Sequence, residues 1–293
     1  MQTYHNLCWK AESNEVLKKI LIEEMGISIR MISDLKKRKA VKVNGGSAKN
    51  HDEVFVGDVI EVDLGTDRSE YEPEYKELDI LYEDHDVLVI NKEPFTVVHP
   101  TRNHLDHTLL NYMEGYFRRT GIQERVRFIN RLDRDTSGLL LIAKNKFSHF
   151  QMSKEHQFGA MEKIYLALVS GRLKQKEGVI REKIGRRDQE SIKREVFEGG
   201  QMAITHYRVL KEMQEVSLVE LRLETGRTHQ IRCHMAHIGH PLLGDELYGG
   251  RTDKIDRQAL HSYILRFKSP RVQGLIEQTA KLPQDMQELL DQL

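Results

Sequence analysis

The chain has 293 residues and a mass of 34.2 kDa, of which 39% are hydrophobic, enough for one large folded domain or two unequal ones. Charged residues reach 31%, but 45 Lys+Arg balance 45 Asp+Glu, which excludes a polycationic tail and leaves room for local basic patches. Mean hydropathy is −0.56, no run approaches the ~18 apolar residues of a membrane span, and the opening MQTYHNLCWKAE lacks the charged-then-apolar pattern of a secretory signal.

The front of the chain predicts a compact unit of helices and strands. Val16, Ile20, Leu21 and Met25 approximate one apolar helical stripe that ends near Gly26. Ser28 is placed to cap a second helix through Ile29, Ile32 and Leu35, which runs into Lys36, Lys37, Arg38 and Lys39. Short strands are predicted at 41–43 and 59–62, separated by the turn-rich NGGSAKNHDEVFVGD. The order of basic helix end, V-x-V-N-G and a G-D-x-I-x-V strand over Ser28–Val62 resembles the S4 RNA-binding domain. That resemblance implies RNA contact through Arg30, Lys36, Lys37, Arg38 and Lys39, a cluster suited to following phosphates. The charge alone fits equally well a solvated helix end that complements its own dipole.

Over residues 67–86 nine acids stand against two bases, Arg68 and Lys76. The stretch is poor in aliphatics and reads as a linker. The expected division is therefore an S4-like unit at 1–65, an acidic linker at 66–77 and a second domain at 78–293. In that domain strands are predicted at 78–82, 87–91 and 139–143, in KIYLALVSG, and around Leu218, Leu221 and Leu223. RTHQIRCHMAHIGHP predicts a helix with Ile231, Met235 and Ile238 on one face, Thr228 as its cap, and Gly239 with Pro241 at its end. Strands dominate with helices interspersed, so the expected class is α+β, with a mixed, mostly antiparallel sheet.

Two segments carry chemistry. In NRLDRDTSGLLLIAKN a polar turn with two carboxylates opens into an apolar strand, which can hold an acid at the end of a rigid element. Read bare, Asp135 in such a turn also suits a bond to its own backbone at Ser137 or Gly138. In LRLETGRTHQIRCHMAHIGHPLLGDELYGG a glycine turn leads from a strand to a helix start, where free N–H groups and Arg227 favour an anion.

Together the two segments resemble the RluA-type family of RNA pseudouridine synthases. N-R-L-D-R-D-T-S-G matches that family's H-R-L-D-x-x-[ST]-[ST]-G, with Asn130 in place of the usual His. G-R-T-H-Q-I-R-C-H matches G-R-x-H-Q-[IL]-R-x-H, followed by H-P-L-L-G-D. Lys163–Tyr165 matches a K-x-Y, and NKEPFTVVHP, QMAITHYRVL and RQALHSYILRFKSP extend the likeness over residues 78–290. NKEPF departs from the usual N-K-P by Glu93.

The resemblance implies isomerisation of uridine to pseudouridine, with large-subunit ribosomal RNA as the expected substrate and transfer RNA as the alternative. The C1′–N1 bond breaks, the uracil turns, and C5 bonds to C1′, so no cofactor is required. By resemblance Asp133 is the essential carboxylate, attacking C1′ or removing a proton from C2′, in a site that excludes water. A buried charge needs a partner, and Arg232 occupies the family's arginine position. Tyr165 matches the tyrosine that stacks on the target base, and Arg131 the arginine that acts when the base is flipped out of its stack. Arg227 and His229 are expected substrate or scaffold contacts. Without the resemblance, Arg232 would read as a surface arginine and Tyr165 as a core aromatic.

Other chemistries are poorly served. His229, His234, His237 and His240 lie close in sequence, but no H-E-x-x-H and no Cys pair accompanies them, and no metal is expected. G-x-G-x-x-G, the P-loop pattern and G-x-S-x-G are absent. Two competing functions remain: a non-catalytic S4-type RNA-binding protein, and a hydrolase in which Asp133 works with Asp135 or Glu224. Cys8 and Cys233 form no disulfide framework, so a cytoplasmic protein is expected, and a monomer that binds no membrane.

Overall fold

The computed structural model describes residues 5–292 except 68, 102, 103, 158, 159, 189 and 273. Arg68, counted above in the acidic stretch, and residues 1–4 and 293 of the assigned units therefore lie outside the described residues.

Residues 5–64 build their own core. In chain order they form β1 (Asn6–Lys10), β2 (Glu15–Val16), α1 (Leu17–Glu23), α2 (Ile29–Arg38), β3 (Val41–Val43), β4 (Gly46–Ser47), β5 (Glu53–Val54) and β6 (Val59–Asp63). The main sheet runs β1-β6-β3-β4, and β2 pairs with β5. β1 is a strand that the sequence reading missed. Ser28 caps α2 as expected, its hydroxyl accepting from the Met31 N–H at 3.2 Å. Two stripe positions are corrected. Val16 belongs to β2 and is exposed while Leu17 turns inward, and Ile29 is 72% exposed because only Ile32 and Leu35 of that helix face the core.

Among the described residues of the acidic segment 66–78 no helix or strand forms beyond one bridge between Asp67 and Glu124, and the segment is strapped to the larger unit. The Glu74 N–H donates to the Asn111 carbonyl at 2.9 Å, and the Asn111 side-chain amide donates to the Glu72 carbonyl at 2.9 Å. Gly115 permits this approach, since a Cβ there would stand 2.1 Å from the Glu74 oxygen.

The larger unit contains β7 (Ile80–Glu83), β8 (Val87–Lys92), α3 (Leu109–Thr120), β9 (Arg127–Phe128), β10 (Ser137–Ala143), α4 (Lys146–Gln157), β11 (Glu162–Ser170) and β12 (Glu177–Gly185). It continues with β13 (Glu195–Val196), β14 (Gln201–Glu212), β15 (Val216–Leu223), α5 (Gln230–His237), a 3-10 turn at Glu246–Tyr248, β16 (Leu260–Phe267), β17 (Ile276–Thr279) and α6 (Gln284–Gln292). The strands join in one sheet of order β13-β12-β14-β15-β11-β16-β10-β8-β7, with β17 on β16 and β9 on β10. All named pairings are antiparallel except β10 with β16, so the expected mixed α+β class is observed.

Both faces of the sheet's centre are covered. One face packs Leu140, Ile142, Ala167 and Leu221 against α3 and α5; the other packs Leu139, Leu141 and Phe267 against Met152 of α4. That explains why 139–143 reads as an unbroken apolar run rather than an alternation. The front unit rests on α4: Phe147 joins its core, and the Gln151 amide donates to the Gly26 carbonyl at 3.1 Å.

Candidate active site

The single parallel contact in the sheet positions the acid. β10 and β16 run parallel only at Ser137↔His261 and Gly138↔Ser262. Gly138 sits at φ +108°, and a Cβ there would come 2.2 Å from the Ser262 oxygen. Only glycine allows two backbones this close with that φ. The turn just before it is closed by the Thr136 N–H donating to the Asp133 carbonyl at 3.1 Å, so Asp133 is presented at the rim of the central strand. Asp135 does not bond back to Ser137 or Gly138; its carboxylate is held by Arg134 at 2.7 and 3.1 Å.

Three buried groups grip this turn. Lys92 donates through its ammonium to the carbonyls of Arg134 (2.8 Å), Glu93 (2.7 Å) and Thr96 (3.0 Å). Burial pushes its pKa down to about 7, partly opposed by Asp135. Arg257 donates to the Asp135 carbonyl at 3.0 Å while Asp285 binds its other two nitrogens at 2.6 and 2.8 Å. Asn130, where the family usually has His, accepts from the Leu141 N–H at 2.8 Å and donates to the Leu139 carbonyl at 3.2 Å. Its amide therefore stitches the entrance of the turn to β10, with a donor and an acceptor on one short side chain.

Across the turn lies α5. Its cap is not Thr228 but His229, in a left-handed conformation at φ +55°. The helix entrance is organised by Gln230, whose side-chain oxygen accepts from the Arg227 N–H at 2.9 Å and the Thr225 hydroxyl at 2.8 Å. Of the N–H groups expected to favour an anion, the one on Arg227 is thus already satisfied. One turn into the helix, Arg232 is 8% exposed. Its Nη1 lies 3.2 Å from Asp133 Oδ2, while Nε and Nη2 bind both oxygens of Asp245 at 2.7 and 2.8 Å. Its face lies 5.1 Å from the centre of the Tyr248 ring. Burial opposes the charge, but the two carboxylates more than offset this, and the pKa of Arg232 is raised.

His229 faces the same acid, its Nε2 3.8 Å from Asp133 Oδ2. Burial lowers its pKa, with Asp133 opposing, so the ring is neutral near pH 7. The Tyr248 hydroxyl accepts from the Arg194 N–H at 2.9 Å and lies 3.0 Å from His229 Nδ1. The hydroxyl keeps its proton and a second lone pair, so it can pair with Nδ1 in either tautomer of the ring.

Tyr165 on β11 is 6% exposed and part of the main core, as the bare reading also had it. Burial pushes its phenol up to about 12, against a hydrogen bond with Ser262 and with a further rise from Asp133. Such a phenol stays protonated and can donate but not act as a base at neutral pH. Asp133, Tyr165, Arg232, Arg131, Arg227 and His229 all line one cleft of about 370 Å³ of open space, walled also by Leu223, Ile231 and Leu260. Asp133 is the one carboxylate among its described lining residues. Glu224 instead pairs with His206 at 2.5 Å, so neither it nor Asp135 supplies the second acid that a hydrolase would need.

The remaining expected contacts lie elsewhere. Arg30, Lys36, Lys37 and Lys39 are exposed on or beside α2 and do not line the cleft. Arg38 is occupied within its own unit, by Asp34 at 3.0 Å and the carbonyls of Asp63 and Leu64 at 3.0 and 2.9 Å. Sequence reasoning missed Lys92, Asp245, Tyr248 and Arg257. Three of them had a signal in the quoted motifs: Lys92 in NKEPFTVVHP, Asp245 as the acid of H-P-L-L-G-D, and Arg257 at the head of RQALHSYILRFKSP. His234 is fully buried against the Thr205 hydroxyl at 2.9 Å, and the described residues contain no group of three or more His, Cys, Asp or Glu arranged to hold a metal ion.

A largely antiparallel sheet thus presents one acid, paired to a buried arginine, in a narrow cleft lined also by a buried phenol, an arrangement suited to chemistry with a single carboxylate. A family model for RNA pseudouridylate synthase matches residues 86–237. An uncharacterised RNA pseudouridine synthase of Bacillus subtilis (strain 168), YjbO, is 41% identical over 270 residues, covering 91% of this chain and 95% of its own. The ribosomal large subunit pseudouridine synthase D of Haemophilus ducreyi (strain 35000HP) is 38% identical over 282 residues, covering 91% and 85%. The solved human RNA pseudouridylate synthase domain containing 1 superposes with a TM-score of 0.58 at 29% identity, over 75% of this chain and 96% of that one. The chain belongs to the RNA pseudouridine synthase family, isomerases that convert uridine in RNA to pseudouridine.

Proposed function

We propose that Asp133 is the essential carboxylate of this isomerase and that the target uridine reaches it flipped out of its stack. The observation that carries this reading is the 3.2 Å contact of Asp133 with Arg232 inside the cleft that Tyr165 floors. The pair keeps the carboxylate charged and aimed, as either route, attack on C1′ or proton removal from C2′, requires. In both, the C1′–N1 bond breaks, C5 bonds to C1′, and the proton on C5 is replaced by one on N1, so atoms balance without a cofactor. Tyr165 offers a ring face and a permanent donor beside the base. Exposed Arg131 at the cleft mouth is suited to hold the gap left by the flipped base, an event that costs on the order of a few kcal/mol. Arg227 and His229 contact substrate or hold the acid.

The substrate we propose is large-subunit ribosomal RNA, supported by relatives named for that activity. Residues 1–65 are proposed as an S4-like RNA-binding unit acting through Arg30, Lys36, Lys37 and Lys39, joined by the segment 66–77 to a catalytic domain at 78–293. Arg38 is proposed to orient that basic end rather than to hold phosphate. The protein is proposed to act as a monomer. Cys8 and Cys233 are free, which supports the cytoplasm. No helix among the described residues is long and apolar enough to cross a membrane.

The test is the Asp133→Asn variant, with pseudouridine mapped in ribosomal and transfer RNA from cells with and without the gene. Modification should vanish at specific ribosomal uridines while RNA affinity stays near wild type. Pseudouridine formed at normal rates by the variant, or free uracil released by the wild type, would remove this reading. Neutralising Lys36, Lys37 and Lys39 together should weaken RNA binding and lower its salt dependence by about three units of slope at most; unchanged affinity would remove the front unit's role.

A further inference from the structure

We infer that Asp285, on the last helix α6 and outside the catalytic cleft, is a positioning residue for the reaction: it sets the place of Asp133 through Arg257 and the backbone of the catalytic turn. The inference rests on Asp133 being the essential carboxylate, as proposed above, and deepens that reading.

Four consecutive residues after the acid are held one by one by a single stretch of chain, 257–262. Arg257 Nη1 donates to the Asp135 carbonyl at 3.0 Å. The Gln258 side-chain amide donates to the Thr136 hydroxyl at 3.2 Å. His261 donates from Nε2 to the Ala280 carbonyl at 3.3 Å, and its ring, with a pKa pushed down by burial to about 4, is neutral near pH 7. Its Nδ1 therefore accepts from the Ser137 hydroxyl at 2.9 Å. Gly138 lies against the backbone of Ser262, where a Cβ would come 2.2 Å from the oxygen. Thr136 and Leu260 line the cleft itself, and the Thr136 N–H holds the Asp133 carbonyl at 3.1 Å. A shift of this stretch is thus a shift of the turn that carries Asp133.

Arg257 is the member of the stretch whose aim the sheet does not set. It precedes β16, and its guanidinium ends a long, fully buried stem. Its direction comes from Asp285, whose two oxygens take Nε and Nη2 at 2.6 and 2.8 Å. Nη1 is left for the Asp135 carbonyl, with the carbonyls of Gln258 and Leu260 farther off at 3.2 and 3.4 Å. Asp285 is placed in turn by the chain around it. Its Oδ1 also accepts from the Met286 N–H at 2.8 Å, and α6 buries Met286 and Leu289 against Leu168, Leu243 and Ala259. Arg232 shows the same arrangement, with Asp245 on two nitrogens and Asp133 on the third. Two acid-held arginines therefore fix the turn, one by the carboxylate of Asp133 and one by the backbone two residues on. A planar fork bound along one edge by both carboxylate oxygens has little freedom left on the other, so the acid behind it decides where the carbonyl in front stands.

The test compares Asp285→Asn, Asp285→Glu and Leu289→Ala in the full chain, each assayed well below its melting temperature on large-subunit ribosomal RNA from cells without the gene. Asp285→Asn keeps the shape and takes the charge from behind Arg257. Its saturating single-turnover rate should fall about tenfold, since misplacing a reacting group by about 1 Å can cost a hundredfold. RNA affinity should stay within about twofold, because the change acts on the reacting geometry and not on binding. Asp285→Glu restores the charge and should recover most of the rate. Leu289→Ala opens a void under the same helix and keeps the carboxylate, so it should melt lower and keep its rate within about twofold. A folded Asp285→Asn with a wild-type rate would overturn the inference, as would an equal loss of rate in Leu289→Ala, which would make the effect one of stability alone, or no recovery in Asp285→Glu. Should Asp285→Asn fail to fold, Arg257→Lys stands in for it, since it keeps the buried ion pair and loses the fork; a wild-type rate there overturns the inference. Pseudouridine formed normally by Asp133→Asn removes the reading of the acid itself, whereas an inactive Asp133→Asn beside a normal Asp285→Asn removes only the role of Asp285.

Discussion

Arg232 binds Asp245 with two nitrogens and Asp133 with the third. The fully buried acid fixes the guanidinium, and the guanidinium fixes the acid that faces the cleft. Asp245 has both oxygens on Arg232, whereas Asp133 gives it one and leaves the other toward the cleft. The arrangement divides labour between two carboxylates of the same chemistry: one holds, the other is held and remains available.

Asp245→Asn should therefore strike catalysis at a distance. It leaves Arg232 buried with half its counter-charge, a change that costs about 3 kcal/mol of stability. The saturating single-turnover rate should fall at least tenfold, while RNA affinity moves less than threefold. Stopped-rate assays with quantified pseudouridine, alongside thermal melts, check both numbers. A folded variant with a normal rate would show that Asp133 needs no fixed partner.

Lys92→Met removes the one ammonium shared by the carbonyls of Glu93, Thr96 and Arg134. Leaving buried carbonyls unpaired costs about 1–3 kcal/mol each at most, so a stability loss of roughly 3 kcal/mol is expected. Arg134 follows Asp133 directly, so the saturating rate should drop about tenfold with little change in RNA affinity. Equilibrium urea unfolding and single-turnover kinetics measure the pair.

Gly138→Ala brings a methyl group to 2.2 Å from the Ser262 oxygen at a φ of +108°. The parallel contact between β10 and β16 would have to open. A loss of at least ~3 kcal/mol is expected, read as a fall in the urea midpoint or as insoluble expression. A melting temperature within a degree of wild type would show that the junction yields freely.

Glu124 supplies a pH dependence. Burial pushes its carboxyl up to about 7, opposed by Arg127, and one of its oxygens has no partner. The folded state then holds a proton that the unfolded state releases near pH 4.5. This group's contribution to stability is present below about pH 4.5 and declines as pH rises towards about 7. Glu124→Gln should melt higher than wild type above pH 7, by an amount equivalent to about 1–3 kcal/mol, and the difference should shrink towards pH 5. Melts across pH 5–8 decide it, and a variant that is less stable at pH 8 would mean that the Arg127 pair outweighs burial.

The linear sequence was informative where local chemistry governs. Ser28 caps α2 because its hydroxyl needs only the next turn of backbone. The run 139–143 is buried on both faces, and α5 carries Ile231 and Met235 inward, both visible as apolar pattern. Motif order named six residues, Asp133, Tyr165, Arg232, Arg131, Arg227 and His229, that line one cleft. The helix α3 was legible too but went unread: Thr108 and Asn111 form a capping box and Gly121 ends it at φ +76°. Thr228 carries the local signature of a cap, and no local rule signals that Gln230, reaching back to Arg227 and Thr225, sets the start of α5.

What the sequence by itself determined is a matter of short range: which segments become strands and helices, and which side chains have the right chemistry. Asp133 is charged and Tyr165 is a phenol in any conformation. Tertiary structure alone decided that Asp133 and Arg232, 99 residues apart, meet at 3.2 Å, that Asp245 holds the pair together, and that Lys92 and Arg257 pin the turn from behind. Those contacts depend on which strands lie side by side in the sheet. Strand order is set by burial summed over the whole core, and no window of neighbouring residues contains that sum.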